Sequence, residues 1–265
     1  MRIRLDLAYD GSGFAGWARQ PEQRTVQGCL EEALARVLAV PAVSVTCAGR
    51  TDAGVHATGQ VVHVDVSTDG PDPMSLARRL NGVLSDDLRV RGCVQAAAGF
   101  DARFAALWRR YRYQVCDQDA VDPLRRGQVL RWRRPVDVKA MNEAASQLVG
   151  LHDFAAYCRP RPGATTLRRL HELDWRRDDA GLAVLTVRAD AFCHHMVRSL
   201  TGALLVVGEG RRPVGWPAEV LRAARRDSAV PMVPAHGLTL TEVGYPPDAE
   251  LAQRAEQTRR RRVRT

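Results

Sequence analysis

Apolar and polar positions alternate strictly at the start of the chain. Ile3, Leu5, Leu7 and Tyr9 fall on one side and Arg2, Arg4 and Asp6 on the other, the period of a half-buried strand. Over residues 25–38 the period becomes helical. Val26, Leu30, Ala33, Leu34, Val37 and Leu38 share a face, with Gln27, Glu31, Glu32 and Arg36 elsewhere, as in an amphipathic helix lying on a sheet. Two runs rich in β-branched residues follow, 43–47 and 60–66, the second alternating. A helix is expected over 73–84, with Leu76, Leu80 and Val83 inward and a proline in its first turn, and then a strand over 88–93.

Strand and helix alternate again further on. A strand is expected at 108–115, and the connection at 117–137 is rich in Pro, Asp and Arg. A helix over 138–149 carries Met141, Ala144, Ala145, Leu148 and Val149 inward and is stopped by Gly150. Strands at 170–175 and 182–187 flank a turn. The helix at 195–207 is apolar nearly all round and is expected in the core. A surface helix near 217–225 precedes a loop and strand at 234–243. Past Tyr245 the chain turns polar and basic and reads as a disordered tail. The pattern gives two α+β halves, 1–105 and 106–246, and a tail, 247–265. It does not by itself reveal a repeat.

Composition narrows the setting. The hydrophobic fraction of 45% excludes wholesale disorder. No apolar run approaches the roughly 20 residues that cross a bilayer. A charge at every second N-terminal position excludes a secretion signal, so the expected location is the cytoplasm. The six cysteines include no C-x-x-C pair. They read as reduced, mostly buried side chains rather than as a zinc site. The net charge is +9, of which Arg259, Arg260, Arg261, Arg262 and Arg264 supply five, leaving +4 for the rest. Lys139 is the single lysine. Arginine grips phosphate with two parallel N–H groups and stacks on bases, so the balance favours a polyanionic partner.

Candidate chemistry lies between the two β-branched runs, in Gly49-Arg50-Thr51-Asp52-Ala53-Gly54-Val55-His56. Its glycines allow a tight turn and the close approach of another molecule. An aspartate near an arginine, on a loop braced by two strands, is how a reactive carboxylate is held ionised and aimed. A pair that only ties down the turn has the same sequence. The stretch from Tyr9 to Pro21 holds Gly11, Gly13 and Gly16 with Phe14, Trp17 and Arg19. It suits a loop along a nucleic-acid backbone and equally an ordinary hairpin loop. Trp108-Arg109-Arg110-Tyr111-Arg112-Tyr113 interleaves basic and aromatic residues, as a base-stacking strand does and as a half-buried edge strand can. In a strand Tyr111 and Tyr113 share one face and Arg110 and Arg112 the other. Arg198 within an apolar helix needs a partner, as Asp52 needs a cation, unless Arg198 lies on a wet side and pairs elsewhere. His194 and His195, adjacent at a helix start, are expected to point about 100° apart, which argues against a metal site.

The Asp52 stretch resembles the signature of the TruA-type tRNA pseudouridine synthases. Further segments are similar to that family's in the same order: Tyr9-Asp10-Gly11; Gly16-Trp17 with Arg19-Gln20; Ala102-Arg103-Phe104, then Arg110-Tyr111 and Tyr113; His194-His195-Met196-Val197-Arg198; and the closing residues 234–243. Together they span about residues 3–245. Ala18, Asp101 and Thr239 depart from the usual glutamine, histidine and aromatic residue. The resemblance implies two pseudo-repeated α+β halves, with antiparallel sheets joined into one platform, helices behind and a basic RNA cleft in front. It implies isomerisation of uridine to pseudouridine at positions 38, 39 and 40 of the tRNA anticodon stem-loop, by a homodimer that uses no cofactor. It assigns the essential carboxylate to Asp52 and the ring that packs on the target uracil to Tyr111. Arg50 and Arg198 would keep Asp52 ionised and grip the adjacent phosphate. Whether Asp52 acts as nucleophile or base is left open. Two rivals stand beside this reading: a non-catalytic RNA-binding protein with the same cleft, and a metal hydrolase built on His194, His195 and Asp52.

Overall fold

The computed structural model describes residues 1–67, 72–161 and 163–263. The chain divides into two compact units. One comprises Met1–Leu107 with the chain from Leu240 onward, the other Trp108–Thr239.

The first unit opens with β1 (Arg2–Tyr9), α1 (Val26–Leu38), β2 (Val45–Cys47), β3 (His56–Asp65), α2 (Pro73–Asn81) and β4 (Leu88–Gln95). β1 is central and pairs antiparallel with β3 and with β4, while β2 pairs antiparallel with β3. The period of two in β1 is realised directly: Ile3, Leu5, Leu7 and Tyr9 are buried, and the residues between them are not. α1 starts where Thr25 accepts a hydrogen bond from the Gly28 N–H, satisfying a donor that a helix end leaves open. Glu31, polar in the sequence pattern, is buried. It accepts from the Val45 N–H at 3.1 Å and the Gln27 amide at 2.8 Å, which ties the helix to β2. α2 ends at Asn81, short of the expected 84. Val83 therefore leaves the apolar face and is exposed, while Leu76 and Leu80 stay fully buried.

The second unit holds β5 (Trp108–Cys116), β6 (Leu130–Arg131), α3 (Val138–Ser146), β7 (Gly150–Asp153), β8 (Leu167–Arg177), β9 (Ala183–Ala189), α4 (Met196–Gly208) and α5 (Trp216–Ala223). Its strands run in the order β5-β9-β8-β7, each pair antiparallel, with β6 parallel to β5. α4 is the core helix: all of its residues are buried except Arg198. α3 ends at Ser146, earlier than expected, so Val149 is exposed rather than inward. The cysteines also differ from the all-reduced expectation. Cys158 and Cys193 form a disulfide, with Cα atoms 5.7 Å apart. A bond from the Arg159 N–H to the His194 carbonyl, 2.9 Å, brings those two stretches together. Cys29, Cys47, Cys93 and Cys116 are in no disulfide.

The second half was expected to run to 246, but the second unit ends at Thr239 and the chain returns to the first. β10 (Leu238–Gly244) lies next to β3, and the Leu107 N–H donates to the Gly244 carbonyl at 2.8 Å. Nor is the chain beyond it the disordered tail that its composition suggested: α6 runs Leu251–Val263. Leu251 and Ala255, four apart and so on one helix face, are buried against the first unit. Arg259 forms an ion pair with Asp101 at 2.7 Å. Residues 264 and 265 lie outside the described residues. Among those described, no helix is long and apolar enough to cross a membrane.

Candidate active site

Asp52 sits in the connection from β2 to β3 of the first unit, half-buried between a buried Thr51 and an exposed Ala53. The turn closes where the Val55 N–H donates to the Asp52 carbonyl at 3.1 Å. The glycine-rich stretch after β1 packs directly on it. Trp17 N–H donates to the Thr51 carbonyl at 3.0 Å, and Gly54 N–H to the Phe14 carbonyl at 3.4 Å. Two glycines make that approach possible. At Gly11 a Cβ would collide with the Val55 carbonyl. At Gly16, with φ +100°, a Cβ would stand 3.1 Å from both Ala53 N and Thr51 O.

Beneath the turn lies an uncharged, buried network. The Tyr9 hydroxyl is 2.8 Å from Thr51 Oγ1 and accepts from Gln60 Nε2 at 3.3 Å. Gln60, fully buried, also donates to the Gly49 carbonyl at 2.6 Å and accepts from the Gly49 N–H at 3.3 Å. Both ends of its amide are thus used, which is what makes a buried amide tolerable. His56 is buried too. Its Nδ1 lies 3.0 Å from the Gly11 N–H and 3.1 Å from Asp10 Oδ1. A neutral ring accepts at that nitrogen from Gly11, whereas a protonated one donates there to Asp10. Burial would raise the Asp10 carboxyl, but Ser12 and His56 outweigh it and hold Asp10 below its ordinary value.

Arg50 departs from expectation. It is exposed, and among the described residues it forms no ion pair. The turn is tied down by Tyr9, Gln60 and the two glycines, not by an Arg50–Asp52 pair. Two other arginines of this region are committed to structure. Arg19 bonds Glu32 at 2.8 Å and Glu31 at 3.4 Å. Arg24 pairs with Asp87 and lies 4.1 Å from the centre of the Phe14 ring.

In the second unit Tyr111 and Tyr113 share the buried face of β5, as the pattern required. Tyr111 meets Phe192 edge to face, with ring centroids 5.1 Å apart. Tyr113 donates to the Pro234 carbonyl at 2.7 Å, and burial pushes its hydroxyl well above its ordinary value. Arg109, buried, donates to the Asp190 carbonyl. Arg198 is half-buried rather than buried, and its Nε donates to the Val233 carbonyl at 2.7 Å. Tyr113 and Arg198 therefore hold consecutive carbonyls of the same segment. The inference that Arg198 needs a carboxylate rested on full burial, which the helix does not impose. His195 adopts φ +70° at the cap of α4. This removes the 100° divergence expected of a helical pair, and the rings of His194 and His195 lie 3.8 Å apart.

A family model described as tRNA pseudouridine synthase matches residues 7–104 and 144–246, one segment for each half of the chain. The chain belongs to the tRNA pseudouridine synthase family. It is 61% identical over 264 residues to tRNA pseudouridine synthase A of Frankia casuarinae, covering 99% of this chain and 96% of that one. It is 57% identical to the Streptomyces griseus enzyme of the same name, covering 98% and 93%.

As a member of this family the protein isomerises uridine to pseudouridine in tRNA. Of the residues singled out from the sequence, Asp52 and Arg50 lie in the first unit, Tyr111 and Arg198 in the second. The supporting contacts of Tyr9, Thr51, Gln60 and Phe192 escaped sequence reading. Gln60 carried a faint signal, as the polar residue that opens the alternating β-branched run 60–66. Tyr9 stood out only by its place in the alternation and in the Tyr9-Asp10-Gly11 segment.

Proposed function

We propose that Asp52 is the essential group in this isomerisation, and that the uridines it acts on are those at positions 38, 39 and 40 of the tRNA anticodon stem-loop. The observation that supports Asp52 is its setting. The residues on both sides are pinned, Thr51 by Tyr9 and Trp17 and Gly54 by Phe14, while Asp52 itself remains half-buried. A carboxylate on so constrained a backbone is aimed by the backbone itself.

The chemistry balances within the substrate. The bond from uracil N1 to ribose C1′ breaks, the base turns, and C5 is joined to C1′. N1 gains a proton and C5 loses one, with no net oxidation or reduction. Asp52 serves either as nucleophile or as the base that moves a ribose proton. The target base must leave the helical stack to be reached. The Tyr111 ring, held by Phe192, would pack on it. Arg50, exposed, would take an adjacent phosphate, as would the Nη groups of Arg198 that lie beyond its bond to Val233. The enzyme would work in the cytoplasm as a homodimer.

The test is incubation of an unmodified tRNA transcript with wild type, Asp52→Asn and Asp52→Ala, without added metal or cofactor, followed by mapping of pseudouridine. Product at positions 38–40 with wild type, and none with either variant, is expected. Equal product from all three would end the role given to Asp52, and product at other positions would end the site assignment.

A further inference from the structure

Arg168, near the start of β8 in the second unit, is a cation that the chemistry above does not use. It is half-buried. Its Nε is sealed from solvent and has no hydrogen-bond partner. One Nη group donates to the Leu167 carbonyl at 2.6 Å, at an exposed position. His152 stands directly opposite on β7, and such pairs share a face of the sheet. The His152 ring meets the buried Phe154 edge to face, and its Nε2 is 3.2 Å from the Val149 carbonyl, so this neighbour brings no negative charge. Among the described residues Arg168 forms no ion pair. Two carboxylates, Asp190 and Asp153, act on it from further away. Both are turned to other groups. Asp190 Oδ1 accepts the N–H groups of Arg169 and Ala191 at 3.0 and 2.7 Å. Asp153 Oδ1 accepts the Ala155 N–H at 3.0 Å and the Thr166 hydroxyl. Burial outweighs their pull and holds the Arg168 guanidinium below its ordinary value.

We propose, resting on the tRNA reading above, that Arg168 is a further RNA-binding residue of this enzyme: a guanidinium kept half-buried and without a carboxylate, which a phosphate of the tRNA backbone completes. A cation drawn partly out of water needs an opposite charge, and the fold brings none into contact. Where this unit uses an arginine for structure it supplies the partner, as with Arg177 and Asp117 at 2.7 Å. Packing of the stem does not account for Arg168 either, because an uncharged chain covers apolar surface without the cost of the head. A phosphate supplies what is missing. It is anionic, and its oxygens accept two parallel N–H groups. The Nη end, the one open to water, is the end it would meet. A head already ordered and partly desolvated gives up less on binding than a loose one. The position suits RNA as well. The Asp190 N–H donates to the Arg169 carbonyl at 3.1 Å, so β8 is tied here to the residues that lead into Phe192, the support of Tyr111.

The experiment uses the full chain with Arg168→Met, which keeps an apolar stem and removes the charge, and with Arg168→Lys, which keeps the charge and removes the fork. Affinity for unmodified tRNA is measured across a salt series, and thermal melts are run on the free proteins. Arg168→Met is expected to bind roughly tenfold more weakly near physiological salt, with the slope of log affinity against log salt shallower by about 0.7–0.9. Its melting temperature should equal or exceed that of wild type, because an uncompensated charge has gone. Arg168→Lys should fall between, about threefold weaker than wild type with the slope retained. Unchanged Kd and salt slope in Arg168→Met would overturn the proposal. So would a lower melting temperature with Kd unchanged, which would make Arg168 a brace for Asp153 and Asp190. Should Arg168→Met fail to fold, wild-type affinity in Arg168→Lys would overturn the two-pronged grip on phosphate. Failure of the tRNA reading has a different signature, since wild type itself would then form no pseudouridine.

Discussion

The Tyr9 hydroxyl lies 2.8 Å from Thr51 Oγ1, directly under the turn that carries Asp52, although the two residues are 42 apart in sequence. The same hydroxyl accepts from Gln60, which holds Gly49 at the other end of the turn. Replacing Tyr9 by Phe keeps the ring against Trp17 and Phe14 but strips Thr51 and Gln60 of a partner. A buried polar group left unpaired costs about 1–3 kcal/mol. A loss of about 1–2 kcal/mol in a denaturant melt is expected, with kcat down about tenfold and KM for tRNA little changed. Unaltered kcat would mean that the network supports the fold but does not aim the carboxylate.

Gly11 should tolerate no side chain. In Gly11→Ala a methyl group would meet the Val55 carbonyl, and neither atom is on a flexible side chain. The two loops must then part, and a displacement of about 1 Å at a reacting group costs on the order of a hundredfold in rate. Turnover should fall by about that factor. Gly13→Ala is the control, because its nearest neighbour is the far end of the Arg24 side chain at 3.1 Å; it should keep most activity.

Acid should loosen the first unit in two stages near residue 101. His63 is buried and accepts the Ala102 N–H at Nδ1, and burial, then the nearby Arg2, hold its pKa below the ordinary value. Its contribution is complete above the unfolded value near 6.5 and is lost as pH falls through the folded one. For Asp101, burial alone would raise the carboxyl. The Phe104 N–H, Arg259 and the Arg103 N–H outweigh it and leave it lowered. That contribution is complete above about pH 4 and lost below it. Thermal melts from pH 8 to pH 3 should show both steps. Asp101→Asn should shrink the lower one, to which the likewise lowered Asp10, Asp65 and Asp87 also contribute, cost about 1 kcal/mol at neutral pH, Arg259 being half in solvent, and converge with wild type in strong acid. A lower step of unchanged size in the variant would refute the assignment.

Tyr111 separates ring from hydroxyl. If the ring packs on the uracil, Tyr111→Phe should retain turnover within about tenfold, since the contact with Phe192 and the stacking face both survive. Tyr111→Ala should lose product formation by several hundredfold, stacking being worth about 1–3 kcal/mol per base and the empty site adding misplacement. Equal loss in both variants would point to the hydroxyl instead.

The sequence by itself determined what depends on neighbours along the chain. The alternation of Ile3, Leu5, Leu7 and Tyr9 gave β1, and the helical spacing from Val26 gave α1. Eight consecutive residues around Asp52 carried the family resemblance, because a tight loop writes its requirements into adjacent positions. Only the tertiary structure decided which distant groups meet. Arg259 finds Asp101 across a separation of 158 residues, and that ion pair, with two small apolar contacts, turns an apparent tail into a docked helix. Cys158 meets Cys193, Arg198 meets a carbonyl rather than a carboxylate within its own unit, and Gln60 meets both Tyr9 and Gly49. Such pairings are selected by the free energy of the packed units. A buried polar atom takes whichever partner the fold brings within about 3 Å, and local spacing holds no record of that choice.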